Sequence, residues 1–373
     1  MLRKRDPRRS DACDVIVVGA GLVGAAVAAR LTREGFDTAV LEARSMAGGA
    51  TGRSLGMALL GLAGDYSWAV SVYGRQRARE IWALTAGGRA RLVETARRLE
   101  VPFRRAGSLA LAADDEEADA LWESVKLLRD DGFDASFTLT DPLQRGFQAA
   151  LRRPADVGVD VTALTRALLD ADGVMVHEGT EVYALEPTDD GIRVWAQGRT
   201  VICSAVVLAV NGYAALVDPY LAENVAPVRC VVFTTEPLND PVPDRLCTFW
   251  GGQGLLRALP NGRLLLGTWQ RRDAADSAGQ LRDRLADFVS RHIPELDLDN
   301  ADHWSEVMGF TPDGLPLLGS LPSLPQAYFA VGFGGRGLSW AFVAAERLVN
   351  TMLHGAELGM LSAKRLIDAS PSP

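Results

Sequence analysis

Three glycines and one acid near the start of the chain have the types and the spacing that bind a dinucleotide. Gly19, Gly21 and Gly24 form a Gly-x-Gly-x-x-Gly pattern, and Glu42 follows about twenty residues later. The first glycine permits a tight turn, the second lets the backbone approach a pyrophosphate, and the third lets a helix pack closely on a strand. The acid can accept hydrogen bonds from a ribose and would repel the 2′-phosphate of NADP. The pattern therefore predicts a site for NAD or FAD.

The segments around this motif match the elements that such a site needs. Apolar residues 15–18 predict a strand that leads into the glycines, and residues 25–34 predict a helix that ends at Gly35. Residues 38–41 predict a second strand that ends at Glu42. A glycine-rich turn without a ligand is the alternative, but this order of strand, helix and acid favours the ligand site. The helix N-terminus would offer its N–H groups and the positive end of its dipole to the pyrophosphate.

Two further glycine-rich segments are predicted to lie against a ligand. The glycines within residues 46–56 predict irregular backbone that runs closely along the ligand, with a flexible loop as the alternative. Residues 332–337 follow an apolar strand and precede a helix predicted over residues 340–354. A second helix N-terminus would therefore point at an electron-rich group.

The remainder of the chain alternates between predicted helices and strands. Helices are predicted over residues 71–100, 114–130, 161–169 and 277–292, strands over residues 107–112, 174–177, 181–185, 191–195, 199–202, 205–210 and 228–235, and a hairpin over residues 255–267. The strand over residues 205–210 is fully apolar, as expected for a buried parallel strand. It leads to Asn211 and Gly212, where a sheet would meet a ligand crevice.

Composition and charge exclude several classes of protein. The chain has 373 residues, of which 48% are hydrophobic and 23% charged, and its net charge of −8 argues against nucleic-acid binding. The basic residues near the N-terminus precede no signal-peptide apolar region, no run is long enough to span a membrane, and the four cysteines lack metal-site spacing. We expect a cytoplasmic protein with no nucleic-acid, membrane or metal partner and with disordered tails at residues 1–10 and 366–373.

Further motifs in a fixed order extend the pattern over nearly the whole chain. After the first glycine motif and its acid come Ala50-Thr51-Gly52-Arg53, the strand end at residues 209–212, Thr311-Pro312-Asp313-Gly314-Leu315-Pro316 and the glycine turn at residues 332–337. In these motifs the chain resembles the D-amino-acid-oxidase-type (DAO) FAD-dependent oxidoreductases, and it looks nearer to glycine oxidase than to sarcosine oxidase. This order of motifs argues against a plain NAD dehydrogenase.

The resemblance implies a mixed α/β (α+β) fold with two interleaved domains. A Rossmann-type FAD-binding domain would comprise residues 11–91, 142–226 and 304–365. A substrate domain on a mostly antiparallel sheet would comprise residues 92–141 and 227–303.

The resemblance also implies FAD and assigns the residues that would contact it. The first glycine motif would hold the pyrophosphate of FAD, and the acid would bind its ribose. The segment around residue 51 would line the flavin, and the late glycine turn would lie at the pyrimidine end of the flavin. The implied contacts are Gly19, Gly21, Leu22, Val23, Gly24, Glu42, Ala43, Arg44, Gly49, Ala50, Thr51, Arg53, Ser54, Val182, Ala209, Gly212, Gly335, Arg336, Gly337, Leu338 and Ser339.

The activity implied by the resemblance is oxidation of an amine or amino acid, such as glycine, an N-substituted glycine or a related secondary amine. A hydride would pass from the carbon next to nitrogen to flavin N5, the imine would hydrolyse, and O2 would reoxidise the flavin to give H2O2. Because arginine binds carboxylates bidentately, Arg336, Arg53 and Arg257 are candidate catalytic residues, with a structural or solvated arginine as the alternative for each. Phe249, Trp250 and Trp269 are interpreted as core residues.

Two other functions remain open from the sequence. One is a dehydrogenase of the same fold that passes electrons to a quinone or a carrier protein. The other is a flavoprotein subunit without turnover of its own.

The sequence departs from the sarcosine oxidases at two places. Those enzymes carry a cysteine just before Thr-Pro-Asp for a covalent flavin bond, and residues 306–310 contain none, which predicts non-covalent FAD. They also carry a lysine for oxygen activation, whose place falls near Leu265, and Ser339 stands where another lysine of the family usually falls.

Overall fold

The alternating apolar segments form nineteen strands and ten α-helices in the computed structural model, which describes residues 2, 12–239, 245–269 and 278–367. The strands are β1 (Ala12–Val18), β2 (Thr38–Leu41), β3 (Met57–Ala58), β4 (Phe103–Arg104), β5 (Ser108–Ala112), β6 (Ser136–Thr138), β7 (Ala149–Arg153), β8 (Val157–Val159), β9 (Met175–His177), β10 (Val182–Thr188), β11 (Gly191–Ala196), β12 (Arg199–Leu208), β13 (Ala226–Thr234), β14 (Leu246–Phe249), β15 (Gly254–Ala258), β16 (Leu264–Trp269), β17 (Asp302–Phe310), β18 (Leu317–Leu321) and β19 (Leu324–Val331). The helices are α1 (Leu22–Arg33), α2 (Ala50–Arg53), α3 (Tyr66–Tyr73), α4 (Arg75–Arg98), α5 (Asp115–Asp130), α6 (Val161–Ala171), α7 (Pro219–Asn224), α8 (Ala278–His292), α9 (Gly337–His354) and α10 (Lys364–Ile367).

The first sheet is built around β1, which pairs in parallel with β2 on one side and with β12 on the other. Its strand order is β10-β11-β12-β1-β2-β9, and β19, which pairs with β18, joins it in parallel through β12. Both faces of β1 are covered, because Val15 and Val17 lie in one apolar cluster and Ile16 and Val18 lie in another. A strand buried on both faces explains the continuous apolar run in the sequence. This arrangement confirms the predicted mixed α/β fold.

The second sheet is mostly antiparallel and has the strand order β17-β13-β16-β15-β14-β5-β7-β6. Two of its strands come from segments that the predicted boundaries assign to the FAD-binding domain. These are β7 and most of β17, which pairs with β13 from Ala226–Phe310 to Thr234–Asp302. By their hydrogen bonding, β7 and β17 therefore belong to the second sheet. The domain boundaries themselves remain a prediction.

Three local predictions differ from the structure. The glycine-rich segment 46–56 is not wholly irregular, because α2 forms one helical turn inside it. The helix predicted over residues 71–100 is two helices, α3 and α4, which meet at Gly74, where φ is 76°. The two strands predicted over residues 199–202 and 205–210 are the single strand β12.

The disordered tails predicted at residues 1–10 and 366–373 lie outside the described residues, except for Leu2 and residues 366–367. Within the part that the structure describes, no helix combines the length and the apolar character needed to cross a bilayer.

A buried carboxylate, Asp156, joins several elements beneath the second sheet. Its Oδ1 accepts hydrogen bonds from the Leu60 N–H, at 3.0 Å, and from the Arg89 guanidinium, and its Oδ2 accepts one from the Ser108 hydroxyl at 2.6 Å. Arg153 Nε lies 3.5 Å from the same Oδ2. Because Asp156 is fully buried, its charge depends on these partners.

Replacing Asp156 should therefore destabilise the fold strongly. We expect Asp156→Ala to lower the free energy of unfolding by about 3–5 kcal/mol, because it leaves buried guanidinium groups without a counter-ion. Urea denaturation monitored by circular dichroism measures this change. The matched control is Asp299→Ala, which breaks the ion pair between Asp299 and Arg282. Because these side chains are 77% and 75% exposed, respectively, the control should change the free energy of unfolding by less than about 1 kcal/mol. Equal effects of the two variants would contradict this account.

Candidate active site

The turn between β1 and α1 is so tight that only glycine fits at two positions. Gly19 has a φ of 105°, and a Cβ atom on Gly24 would lie 2.0 Å from the Gly19 carbonyl oxygen. The Gly19 N–H donates to the Leu41 carbonyl at 2.8 Å, which fixes the turn to the end of β2. A Cβ atom on Gly19 would also lie 2.8 Å from the Ala209 carbonyl oxygen at the end of β12. Close backbone contacts thus bring three strand ends together at the start of α1.

The N-terminus of α1 opens towards a cavity. Gly21 occupies the N-cap position and has no side chain of its own to cap the helix. The Leu22 N–H donates to the Thr51 hydroxyl oxygen at 3.1 Å, which leaves the hydroxyl hydrogen of Thr51 for donation to a ligand. A Cβ atom on Gly21 would lie 3.1 Å from the same hydroxyl oxygen. The bare backbone and the positive end of the helix dipole make this an anion-binding position.

Glu42 is held at the end of β2 by backbone donors. Its Oε2 accepts the Ala20 N–H at 2.8 Å, and its Oε1 accepts the Arg44 N–H at 2.9 Å. Each carboxylate oxygen retains a further lone pair, so the group can also accept hydrogen bonds from hydroxyls of a ligand. Beside it, the Arg44 guanidinium carbon lies 5.1 Å from the centre of the Tyr213 ring, and both residues line the cavity.

The cavity has a volume of about 930 Å³. One end lies beside Glu42, Tyr213 and residues 180–185, and the other lies beside Trp269 and Glu306. Most of the residues predicted to contact a cofactor line it: Gly19, Gly21, Leu22, Val23, Glu42, Ala43, Arg44, Gly49, Ala50, Thr51, Ser54, Val182, Ala209, Gly335, Gly337 and Leu338.

Residues from the second sheet, from the late glycine turn and from the segment after α2 build the second end of the cavity. The Trp269 ring packs against Gly335, because a Cβ atom there would lie 2.6 Å from the ring. The second end is otherwise lined by Leu55, Cys230, Leu255, Glu306, Met308 and Phe333. α9 begins directly after this turn at Gly337 and no side chain caps it, so its positive end also faces the cavity.

Glu306 and Cys230 face each other across β17 and β13 at this end. Burial raises the pKa of the Glu306 carboxyl to about 8, and the Arg53 charge opposes the rise. Burial also raises the pKa of the Cys230 thiol to about 12, with the Glu306 charge adding to the rise. Cys230 is therefore a neutral thiol near pH 7, and Glu306 can exchange a proton near that pH.

Three predicted contacts do not line the cavity and instead allow close packing behind it. Gly24 packs on the β1–α1 turn, as described above, and a Cβ atom on Gly212 would lie 2.8 Å from the Val307 carbonyl oxygen. The Ser339 hydroxyl donates to the Leu59 carbonyl at 2.6 Å and is fully buried.

The three candidate arginines also do not line the cavity. Arg336 lies between two glycines that line it, but its Nε donates to the Leu62 carbonyl at 3.2 Å in the protein interior. The exposed Arg53 donates to the Ser305 carbonyl at 3.0 Å, and Arg257 donates to the Leu55 carbonyl. No guanidinium from this set therefore reaches the second end of the cavity, and their catalytic role remains a prediction.

Several lining residues were absent from the sequence-based assignment. Trp269, interpreted as core, is buried and also lines the cavity, whereas Phe249 and Trp250 pack with Phe288 as core residues should. Glu306 is the one charged residue in the second half of β17, between Ser305 and the apolar Val307 and Met308, and this was the available sign of a special position. Leu265, near the place of a family lysine, lies in the buried apolar cluster that includes Trp269.

Comparisons with known proteins agree with this geometry. The family model for FAD-dependent oxidoreductases (DAO) matches residues 14–351. The chain is 27% identical to glycine oxidase from Geobacillus kaustophilus, over 87% of this chain and 89% of that protein. It is 26% identical to gamma-glutamylputrescine oxidoreductase from Escherichia coli, over 92% of this chain and 84% of that protein.

Solved structures show the same fold. The glycine oxidase structure from G. kaustophilus superposes with a TM-score of 0.77 at 23% identity, covering 95% of this chain and 99% of that chain. The L-proline dehydrogenase structure from P. horikoshii superposes with a TM-score of 0.75 at 20% identity, covering 96% of this chain and 98% of that chain.

The cavity fits FAD. Its volume of about 930 Å³ lies at the upper end of the usual range for ligand sites, as a long dinucleotide requires. The uncapped N-terminus of α1 beside Gly21 suits a pyrophosphate, and the rigid Glu42 carboxylate suits a ribose.

Replacing Gly21 by alanine should weaken FAD binding while leaving the fold intact. The added methyl group would lie against Thr51 where the pyrophosphate must approach the backbone, so we expect the Kd for FAD to rise about tenfold or more. Titration of the apoprotein with FAD, followed by quenching of flavin fluorescence, measures this constant. The control is Gly87→Ala within α4, where the new Cβ would make an ordinary 3.5 Å contact with Arg91 and should leave the Kd unchanged. Unaltered FAD binding by Gly21→Ala would contradict the assignment.

Proposed function

The chain belongs to the DAO family of FAD-dependent oxidoreductases, as its motifs predicted, and we propose that it oxidises an amine or amino acid at the carbon next to nitrogen. The observation that carries this proposal is the second end of the cavity, beyond the position suited to the pyrophosphate. There the buried apolar side chains of Trp269, Met308 and Phe333 line the cavity beside the N-terminus of α9. The relatives named above as glycine oxidase and gamma-glutamylputrescine oxidoreductase support a nitrogen-bearing substrate.

The residues of this chain would hold FAD along the cavity in a defined direction. The N-terminus of α1 would bind the pyrophosphate, Glu42 a ribose, and the segment near residues 180–185 the adenine. The backbone around Gly335 and Gly337 would contact the pyrimidine end of the flavin, where the positive end of α9 stabilises negative charge. Trp269 and Leu255 would exclude water from the reacting end.

Bound FAD would supply the redox chemistry, in which N5 accepts a hydride from the carbon next to nitrogen and O2 reoxidises the reduced flavin to give H2O2. The protein's part is to position the amine, to keep its nitrogen in the right protonation state and to shield the imine product until it is released and hydrolysed. The candidate substrates from the sequence are glycine, an N-substituted glycine or a related secondary amine.

A dehydrogenase of the same fold, which passes electrons to a quinone or a carrier protein, is the second candidate function. Of the described residues that line the cavity, none is a lysine, and Leu265 occupies the place near which sarcosine oxidases carry one for oxygen activation. The chain has three lysines, of which Lys126 is exposed on α5, Lys364 is exposed on α10 and Lys4 lies outside the described residues. This feature favours slow reaction of the reduced protein with O2.

Anaerobic titration of the purified protein distinguishes these functions. We expect loss of the visible flavin absorbance with at least one compound from a panel of simple amines, glycine, sarcosine, D-amino acids and N-carboxymethyl amino acids. Admission of air should then restore the absorbance and produce H2O2 in equal amount. Reduction without reoxidation by air, together with reduction of an added dye, would select the dehydrogenase. A flavin that no member of the panel reduces would contradict the proposed substrate class.

FAD should be released when the protein is denatured. A covalent bond to a cysteine requires a thiolate, and Cys230, the cysteine among the described lining residues, has its pKa raised to about 12 by burial. Precipitation with acid should therefore leave all of the flavin in the supernatant, as measured by its absorbance. A yellow pellet would show a covalent link, and the Cys230→Ser variant would then test whether that thiol forms it.

A further inference from the structure

Glu306 is a carboxyl group at the apolar end of the cavity, and no described residue forms a direct ion pair with it. It lies on β17, is 6% exposed, and lines the cavity together with Cys230, Trp269 and Met308. β17 pairs with β13 along its length within the second sheet, and it also contacts the segment Asn211–Leu216, which follows β12 of the first sheet. The carboxyl group is thus fixed in place by regular backbone structure.

Part of this carboxyl group has no partner in the protein. Glu306 Oε2 is buried and accepts no hydrogen bond from any described residue. A buried polar atom without a partner costs about 1–3 kcal/mol, and more when it is charged. Because Glu306 also lines the ligand cavity, this carboxyl group is a candidate acceptor for a hydrogen bond from a ligand.

The charged groups around Glu306 leave room for a cation from the ligand. Arg53, from α2, is exposed and donates to the Ser305 carbonyl, and Cys230, from β13, is a neutral thiol near pH 7. Of the described residues that line the cavity, Arg44 is the only basic one, and it lies at the opposite end beside Tyr213. When Glu306 is ionised, a substrate carboxylate at this end would therefore meet a like charge and no guanidinium from the described lining residues, whereas an ammonium group would meet an opposite charge.

We propose that Glu306 binds the ammonium group of the substrate and accepts its proton, so that the site selects amines whose reacting carbon carries no carboxylate group. This inference rests on the proposed function and narrows its substrate class. Among the candidates from the sequence it favours a primary or secondary amine over glycine and its N-substituted derivatives.

The proton transfer balances without any further reactant. An N–H bond of the substrate ammonium breaks, an O–H bond forms at Glu306 Oε2, and the electron pair of the N–H bond stays on nitrogen as a lone pair. That lone pair forms the C=N bond as the C–H bond electrons leave with hydrogen to the flavin. Burial has already raised the pKa of Glu306 to about 8, close to the range in which it can take a proton from a bound ammonium group.

The first experiment compares amines with their α-carboxylated counterparts on the FAD-loaded protein. The pairs are ethylamine with alanine, butylamine with norvaline, and phenethylamine with phenylalanine in both enantiomers. Stopped-flow reduction of the flavin without O2 gives the second-order rate constant for each compound. We expect the amine of a pair to react at least tenfold faster than the amino acid. Faster reaction of the amino acids would overturn the inference while leaving the proposed function intact.

The second experiment changes the carboxyl group. Glu306→Gln should slow reduction by the best amine about 30-fold or more, because a buried ammonium group loses its charged partner. The wild-type rate constant should rise with pH through the pKa of Glu306, near 8, because only the ionised carboxyl accepts a proton, and Glu306→Gln should lack this rise. The control is Asp302→Asn, at the exposed end of the same strand, which should retain the wild-type rate within about twofold. Wild-type rates and an unchanged pH profile in Glu306→Gln would overturn the inference.

A binding experiment is independent of turnover. Tert-butylamine and 2-methylalanine have no hydrogen on the carbon next to nitrogen, so neither can be oxidised there. They differ only in that 2-methylalanine carries a carboxylate where tert-butylamine carries a methyl group. Perturbation of the flavin spectrum by each compound should show that tert-butylamine binds more tightly to the wild type. Equal or weaker binding of tert-butylamine would overturn the inference, and this result needs no variant to fold. Failure of every compound to reduce the flavin would instead contradict the proposed function, while the binding preference would still test Glu306.

Discussion

The backbone contact between Gly19 and Gly24 is the constraint on which the site depends. It leaves no space for a Cβ atom on Gly24 and so holds the start of α1 against the end of β1. The same turn touches Ala209 at the end of β12, and Glu42 is tied to Ala20 by a hydrogen bond. An uncapped helix N-terminus, an acid and the ends of three parallel strands therefore meet at one edge of the sheet, where such folds bind their ligands.

The second sheet turns this cofactor position into a reaction site. β13, β15, β16 and β17 bring Cys230, Leu255, Trp269 and Glu306 to the far end of the cavity. Most of these side chains are apolar, so the one carboxyl group among them has its pKa raised by loss of solvent. In the proposed function, the protein supplies an apolar space with one proton acceptor, while the cofactor of the family supplies the redox chemistry.

The sequence predicted the features that are encoded within short segments. The first glycine motif, Glu42 and the flanking strands are local patterns, and they predicted the fold class and the family, both of which are confirmed. The arginine candidates illustrate what position alone does not determine. Arg336 lies between two cavity-lining glycines, yet its side chain turns inward to the Leu62 carbonyl, because side-chain direction in a turn depends on backbone angles that the sequence does not state. Glu306 and Cys230 are far apart in the chain and meet only through the register of β13 with β17.

A crystal structure of the FAD-loaded protein tests the central claim most directly, since that claim concerns which end of one cavity carries out the reaction. The account predicts electron density for the flavin ring beside Trp269 and Glu306, with the pyrophosphate at the N-terminus of α1. Density that placed the adenine at the Glu306 end, or the dinucleotide outside this cavity, would contradict it.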